Sequence, residues 1–128
     1  MTQKDKEILL KDLSARLPYG VKINESTQGD FTVIGLTAER VFTTCEIEGC
    51  HNDFPIECVK PYLRPMSSMT EEEQRTLDSM CNGVEMVSRL SGLKMFDKAF
   101  NWLNENHFDY RGLIEKGLAI DATGLNIY

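Results

Sequence analysis

The sequence has no long apolar run, little positive charge and only two histidines. No segment approaches the roughly 20 apolar residues that a membrane-spanning helix requires, so we expect no such helix. The first residues, MTQKDKEILLKDL, carry charges throughout and lack the continuous apolar core of an export signal. We therefore predict a cytoplasmic protein, in which the four cysteines remain thiols.

Positive charge is scarce relative to negative charge: 14 basic residues stand against 20 acidic residues, which gives a net charge of −6. Nonspecific affinity for nucleic acid comes mainly from Lys and Arg side chains that displace counterions from phosphates. The charge balance therefore disfavours a general phosphate-binding role. It fits an ordinary solvated surface and, less commonly, an acidic surface that imitates nucleic acid.

The motifs of the common enzyme classes are also missing. Neither a Walker loop nor a dinucleotide-binding glycine pattern occurs. A nucleophilic triad needs a histidine that a carboxylate orients, and Asp109 lies too close in sequence to His107 for that role. His51 lies in a loop with no recognisable nucleophile. We predict that the protein is not an enzyme and has no cofactor.

One cluster of soft ligands resembles a metal site, and it consists of Cys45, Cys50, His51 and Cys58. Structural zinc sites use two closely spaced pairs, whereas no second pair follows Cys45 and Cys50. Cys45 and Cys58 fall within β-type runs, where free cysteines commonly fill the core. We predict core-filling thiols and no bound metal.

The pattern of apolar residues predicts an α+β fold in one domain, residues 1–128. A helix is predicted in residues 1–18, from Thr2 to Leu17, with Leu9 and Leu13 in its buried stripe. We expect its charged residues to face the solvent: Lys6, Lys11, Asp12 and Arg16. Four short β-type runs follow in residues 21–60, separated by turn residues, which is typical of an antiparallel meander. Such short strands predict a small SH3-like barrel or a strongly curled sheet, and we assign residues 21–65 to this β meander.

The segment Val59–Gln74 separates the β-type pattern from the helical one. Pro61 and Pro65 each lack an amide donor, so we expect no regular strand through them. Thr70 and Glu73 form a capping box that predicts a new helix, and residues 70–128 are expected to be mainly helical with a short terminal strand.

Three helices are predicted after the capping box. The first has a buried stripe at Leu77, Met80, Cys81, Val84 and Val87. The second, from Leu93 to Asn106, is the most hydrophobic, and we expect it to lie closest to the sheet. The third is short, begins at Asp109 as its N-cap and ends near Lys116, with Gly117 as the C-terminal glycine.

Aromatic, acidic and arginine side chains in two loops form a candidate partner-binding site, because such residues are common at interface hot spots. We predict six partner-binding residues: Tyr62, Arg64, His107, Asp109, Tyr110 and Arg111. A purely internal role is the alternative. In that interpretation Asp109 caps a helix, Phe108 and Tyr110 pack on Trp102, and Arg111 pairs with a carboxylate.

The stretches PYLRPMSSMTEEE and WLNENHFDYRGLIEKGLA contain these loops. They resemble segments of short uncharacterised proteins encoded by phages and mobile elements of gut bacteria. The resemblance implies an accessory protein that works in a bacterial host, and it carries over no activity, cofactor or catalytic residue.

We therefore predict a nonenzymatic protein-interaction module of a phage or mobile element, which binds a host or phage protein. In its sharper form, the module is an acidic inhibitor of a host defence nuclease. The alternative is a single-stranded nucleic-acid-binding accessory domain, because small barrels present strands on which bases stack. Its candidate residues are Phe31, Phe42, Phe54, Lys22, Arg40 and Lys60.

Overall fold

The computed structural model describes residues 1–44, 51–81 and 89–128. The chain begins with helix α1, Gln3–Arg16. A capping box starts α1, in which the Asp5 amide donates to Thr2 Oγ1 at 3.1 Å and the Thr2 amide donates to the Asp5 carboxylate at 3.2 Å. The predicted N-terminal helix is thereby confirmed.

Four strands follow α1 as an antiparallel meander: β1 Lys22–Glu25, β2 Gly29–Leu36, β3 Arg40–Thr44 and β4 His51–Pro55. Each pairs with the next, and β1 also pairs with the later strand β5, Val59–Pro65. The α+β class is confirmed. Within the described ranges, however, the sheet is open and mixed, with β4 at one edge, so these residues form no closed barrel.

Strand β5 corrects the prediction that the prolines prevent a regular strand. It runs from Val59 to Pro65 and pairs with β1, where Pro61 lies opposite Ile23. Proline removes an amide donor but keeps its carbonyl acceptor, and its fixed φ is compatible with extended backbone. Pro65 is the last residue of the strand, where the missing donor interrupts least.

Two very short strands pair in parallel with the edge of β5 that faces away from β1. Strand β7, Ile120–Asp121, pairs with Tyr62 and Leu63, and strand β6, Phe108–Asp109, pairs with Arg64 and Pro65. This arrangement brings the 62–65 segment against two parts of the chain that are distant in sequence.

Helices α2, Glu71–Cys81, and α3, Arg89–Glu105, lie between β5 and β6 in the chain. The predicted capping box starts α2, with the Glu73 amide donating to Thr70 Oγ1 at 3.1 Å. The predicted buried stripe of this helix is only half-buried at Leu77 and Met80, and Cys81 is exposed. Val84 and Val87 lie outside the described residues.

The short helix predicted from Asp109 to Lys116 is wrong, because the structure has only a single turn there. Asp109 and Gly117 nevertheless act as predicted at its two ends. Asp109 accepts hydrogen bonds from the amides of Leu113 and Ile114. Gly117 has φ +73° and closes the turn, with the Leu118 amide donating to the Leu113 carbonyl at 2.9 Å.

The hydrophobic core lies between α1 and the sheet. Leu9 and Leu13 of α1 are fully buried with residues of the strands, among them Ile23, Val41 and Leu63. The expectation that α3 lies closest to the sheet is therefore wrong. Helix α3 buries only part of its apolar face and leaves the rest in solvent.

Candidate functional site

The side of the sheet where β5 meets β6 gathers five of the predicted partner-binding residues. Of the six, Tyr62, His107 and Asp109 are buried, while Arg64, Tyr110 and Arg111 are half-buried. The side chain of Tyr62 lies apart from the others, because its hydroxyl donates to Asp30 Oδ1 at 2.6 Å on β2. This bond lowers the pKa of the Asp30 carboxyl, and burial raises the pKa of Tyr62.

An ion cluster lies beneath this side, and it consists of the buried residues Asp12 and Arg16 and the half-buried residue Arg111. Arg16 donates from Nε and Nη2 to the two oxygens of Asp12, at 2.9 and 3.0 Å. Arg111 Nη1 donates to the same carboxylate at 2.8 Å, and Arg16 Nη2 also donates to the Phe108 carbonyl at 2.5 Å. Asp12 and Arg16 are both 0% exposed. The cluster ties α1 to the 108–111 loop.

The prediction that Asp12 and Arg16 face the solvent is therefore wrong. The sequence spacing indicates that these two charged residues lie on the buried face of α1. They share a single helical face with Leu9 and Leu13. A charged pair at i and i+4 within an apolar stripe is the pattern that could have identified a buried ion pair. The third member of the cluster, Arg111, is distant in sequence, so no local pattern predicts its pairing with Asp12.

Tyr110 is held from several sides. Its ring faces the guanidinium groups of Arg111 and Arg16, at 4.6 and 5.5 Å from the ring centroid. The hydroxyl donates to Asn104 Oδ1 at 2.8 Å, and the ring lies 5.3 Å from that of Phe100 on α3. A half-exposed aromatic ring fixed in this way loses little conformational entropy when a partner binds it.

Arg64 joins α2 to the sheet. Its guanidinium lies 4.2 Å from the centroid of the Phe108 ring and donates two hydrogen bonds to Glu73, at 2.8 and 2.7 Å. These bonds from Arg64 lower the pKa of Glu73 to about 2. Because both contacts are internal, Arg64 is engaged in holding the fold.

The internal alternative for the 107–112 loop agrees with these contacts in most respects. Asp109 caps the following turn, Phe108 stacks on Trp102 at 5.8 Å, and Arg111 pairs with Asp12. Tyr110 differs, because its half-buried ring contacts Phe100 instead of Trp102. Tyr110 is thus the predicted residue best placed to meet a partner.

His107 is buried and stacks on the ring of Tyr128, with a centroid distance of 3.6 Å and an interplanar angle of 9°. The Tyr128 hydroxyl accepts from the Lys22 amide at 3.0 Å and donates to the Tyr62 carbonyl at 2.8 Å. Burial, with the positive charges of Arg16, Arg64 and Lys22, lowers the pKa of His107 from 6.5 to about 4. Although 47% of the Tyr128 surface is exposed, desolvation raises the pKa of Tyr128 to about 12.

The pKa of His107 predicts a loss of stability in weak acid. Above pH 6.5 the imidazole of His107 is neutral in both the folded and the unfolded chain, so its contribution to the unfolding free energy is fully present. Between pH 6.5 and 4 the unfolded chain binds the proton and the folded chain does not, so this contribution falls as pH decreases. We expect a loss of about 1–3 kcal/mol between pH 7 and pH 4.5, measured by urea unfolding.

The control for this experiment is His107→Asn. Asparagine tolerates the positive φ of this position, 60°, and does not titrate. The difference in unfolding free energy between the wild type and His107→Asn isolates this histidine, because every other titratable group is the same in the two proteins. A difference that stays constant from pH 7 to pH 4.5 would contradict the assignment.

Helix α3 carries an exposed apolar stripe, which differs from the expectation that this helix lies closest to the sheet. Leu93, Phe96 and Phe100 are 66%, 48% and 46% exposed, and their spacing puts them on one face of the helix. Phe100 adjoins Tyr110, so the four side chains form a continuous surface, which we call the α3 surface. Exposed apolar patches of this kind commonly mark interaction sites.

The predicted cysteine cluster lies mostly outside the described residues, which include neither Cys45, Cys50 nor the side chain of His51. Cys58 is described and exposed, so its predicted role as a core filler is wrong. It ends a short turn, Ile56–Cys58, instead of lying within a strand. The part of the chain that the structure covers contains no group of three or more His, Cys, Asp or Glu suited to a metal ion.

The residues proposed for single-stranded nucleic acid are largely engaged within the protein. Phe54 is buried and packs on Phe31 with a centroid distance of 5.3 Å. Arg40 Nε donates to Asp53 at 2.5 Å, and Lys22 Nζ donates to the Ile127 carbonyl at 3.1 Å. Phe42 is half-buried and Lys60 is exposed.

Comparisons of the chain with protein-family models, curated proteins and solved structures find no match. Among the described helices, none combines the length and apolar character needed to cross a membrane.

Proposed function

We propose that the chain is a nonenzymatic protein-interaction module that binds its partner through the α3 surface. The observation that carries this proposal is the contact between the fixed ring of Tyr110 and the exposed ring of Phe100. Aromatic side chains of this kind supply much of the binding energy at protein interfaces. The arginines beneath Tyr110 hold it in place before any partner arrives.

The size of the surface indicates a small contact. The exposed parts of Phe96 and Phe100 offer on the order of 100 Å² each. Stable protein complexes bury roughly 800 Å² on each partner. The α3 surface is therefore suited to the centre of an interface, with polar residues around it completing the contact.

Substitution of both phenylalanines tests this proposal. We expect Phe96→Ser/Phe100→Ser to fold, because both rings are about half exposed, and to lose the partner that the wild type retains from bacterial host lysate. The expected loss in affinity is at least tenfold, since truncation of a hot-spot residue costs about 2 kcal/mol or more. Pull-down with mass spectrometry identifies the partner, and titration calorimetry with that partner measures the change.

The matched control is Ile34→Ser, which removes an apolar side chain that is 53% exposed on β2. It should retain the partner as the wild type does. If the double variant retains the partner equally well, the α3 surface is not the binding site.

The resemblance of two segments to phage and mobile-element proteins favours a host or phage protein as this partner. The net charge of −6 favours the sharper hypothesis, an acidic inhibitor of a host defence nuclease. Binding through exposed charges should weaken strongly between low and physiological salt. Binding that does not respond to salt would contradict the inhibitor hypothesis and leave the module itself in place.

A further inference from the structure

A groove of about 400 Å³ lies beside the α3 surface, between the turn after β5 and the loop after β6. Tyr110 lines this groove and also contacts Phe100, so the groove continues the α3 surface. Its other apolar walls are Pro65, Met66 and Ile114. Met66 is 39% exposed, and methionine is a flexible side chain that adapts to varied partners.

Among the described residues, the two charged side chains that line the groove are both acidic. Asp109 is occupied, because its carboxylate accepts two backbone amides. Glu115 is exposed and lines the groove, and its side chain makes no hydrogen bond or ion pair with the described residues. This groove therefore offers one available negative charge beside an apolar wall.

The nearest cations in the sequence do not neutralise this charge through a direct contact. Arg111 is paired with Asp12 and stacked on Tyr110. Lys116 lines a separate depression beside α1, together with Lys4 and Lys11. The groove is thus complementary to an apolar side chain that has a basic side chain next to it.

We propose that this groove binds a cationic amphipathic peptide segment of a partner protein. An apolar side chain of the segment packs against Met66 and Ile114, and a Lys or Arg side chain pairs with Glu115. This inference rests on the proposed function and specifies the chemistry of the partner. The limited apolar area favours a short segment over a second copy of the chain, since a stable dimer requires roughly 800 Å² on each subunit.

The test uses the full chain and two fluorescein-labelled model peptides, LKKLLKLLKKLLKL and LEELLELLEELLEL, in fluorescence anisotropy at low salt. We expect the lysine peptide to bind and the glutamate peptide to bind at least tenfold more weakly. Glu115→Gln should weaken binding of the lysine peptide about threefold, as expected for one exposed ion pair. Met66→Ser should weaken it further by loss of apolar contact.

The charge-matched control is Glu72→Gln, on the exposed side of α2, and the apolar control is Ile34→Ser. Both should bind the lysine peptide as the wild type does. The proposal is overturned if neither peptide binds, if both bind equally, or if Glu115→Gln and Met66→Ser behave like the controls. Self-association that Glu115→Gln abolishes would instead assign the groove to a second copy.

The experiments distinguish an error in the groove proposal from an error in the proposed function. If a partner protein depends on Phe96 and Phe100 but not on Glu115 or Met66, the module stands and the groove proposal is wrong. If binding of the lysine peptide requires Glu115 while no partner protein requires Phe96 and Phe100 for binding, the groove proposal stands and the α3 surface is not the binding site of the proposed function.

Discussion

Replacement of Asp12 by alanine is expected to destabilise the protein by about 3–5 kcal/mol. The carboxylate of Asp12 balances the guanidinium of Arg16, which is 0% exposed, and accepts a hydrogen bond from Arg111. Without it, Arg16 remains buried with its positive charge and loses two hydrogen bonds. Urea unfolding at pH 7, followed by circular dichroism, measures the change.

Two further variants identify the cause of this loss. Asp12→Leu/Arg16→Met removes the two fully buried charges and should cost less than Asp12→Ala alone, because the only cation left without its carboxylate is then Arg111, which is partly exposed to solvent. Glu71→Ala removes a carboxylate from the exposed Glu71–Arg75 pair and should change stability by less than about 1 kcal/mol. An Asp12→Ala protein as stable as the wild type would contradict the proposed role of the ion cluster.

Phe108→Ala is expected to destabilise the protein by a similar amount, about 3–5 kcal/mol. The Phe108 ring is fully buried, stacks on Trp102 and supports the guanidinium of Arg64. Its removal leaves a cavity and takes away the surface on which Arg64 rests. Thermal unfolding by calorimetry, compared with urea unfolding, measures the loss.

The matched control is Phe100→Ala, which truncates a ring that is 46% exposed on the adjacent helix. Its cost should be much smaller, because solvent already covers part of that ring. If Phe100→Ala and Phe108→Ala lowered the unfolding free energy equally, the two rings would contribute equally to stability, which would contradict the prediction from their different burial.

The sequence predicts the local features of the fold well. The ends of α1 and α2 are fixed by residues three apart, Thr2 with Asp5 and Thr70 with Glu73. The spacing of Thr70 and Glu73 predicts the capping box that the structure contains. The α+β class likewise follows from patterns within short windows, because alternation and turn residues act over a few positions.

The features that sequence analysis missed depend on distant contacts. Pro61 fits a strand because β1 supplies a partner on one side, and Arg16 is buried because the Phe108 carbonyl, 92 residues later, accepts its hydrogen bond. Leu93, Phe96 and Phe100 have the spacing of a buried stripe, yet α1 occupies the core in their place. In the candidate site, this spacing could not distinguish a core face from an exposed one.

The completion of β5 by β6 and β7 has a consequence for the order of folding. The meander β1–β4 pairs neighbours in the chain, so its contacts close short loops and form at low entropic cost. The outer edge of β5 pairs with β6 and β7, whose residues 108 and 120 are added much later during synthesis. Until they arrive, a nascent chain exposes an unpaired strand edge that can recruit another chain. Because these pairings join parts of the chain that are distant in sequence, we expect the candidate site to form after the meander and to cover this edge of β5 when it does.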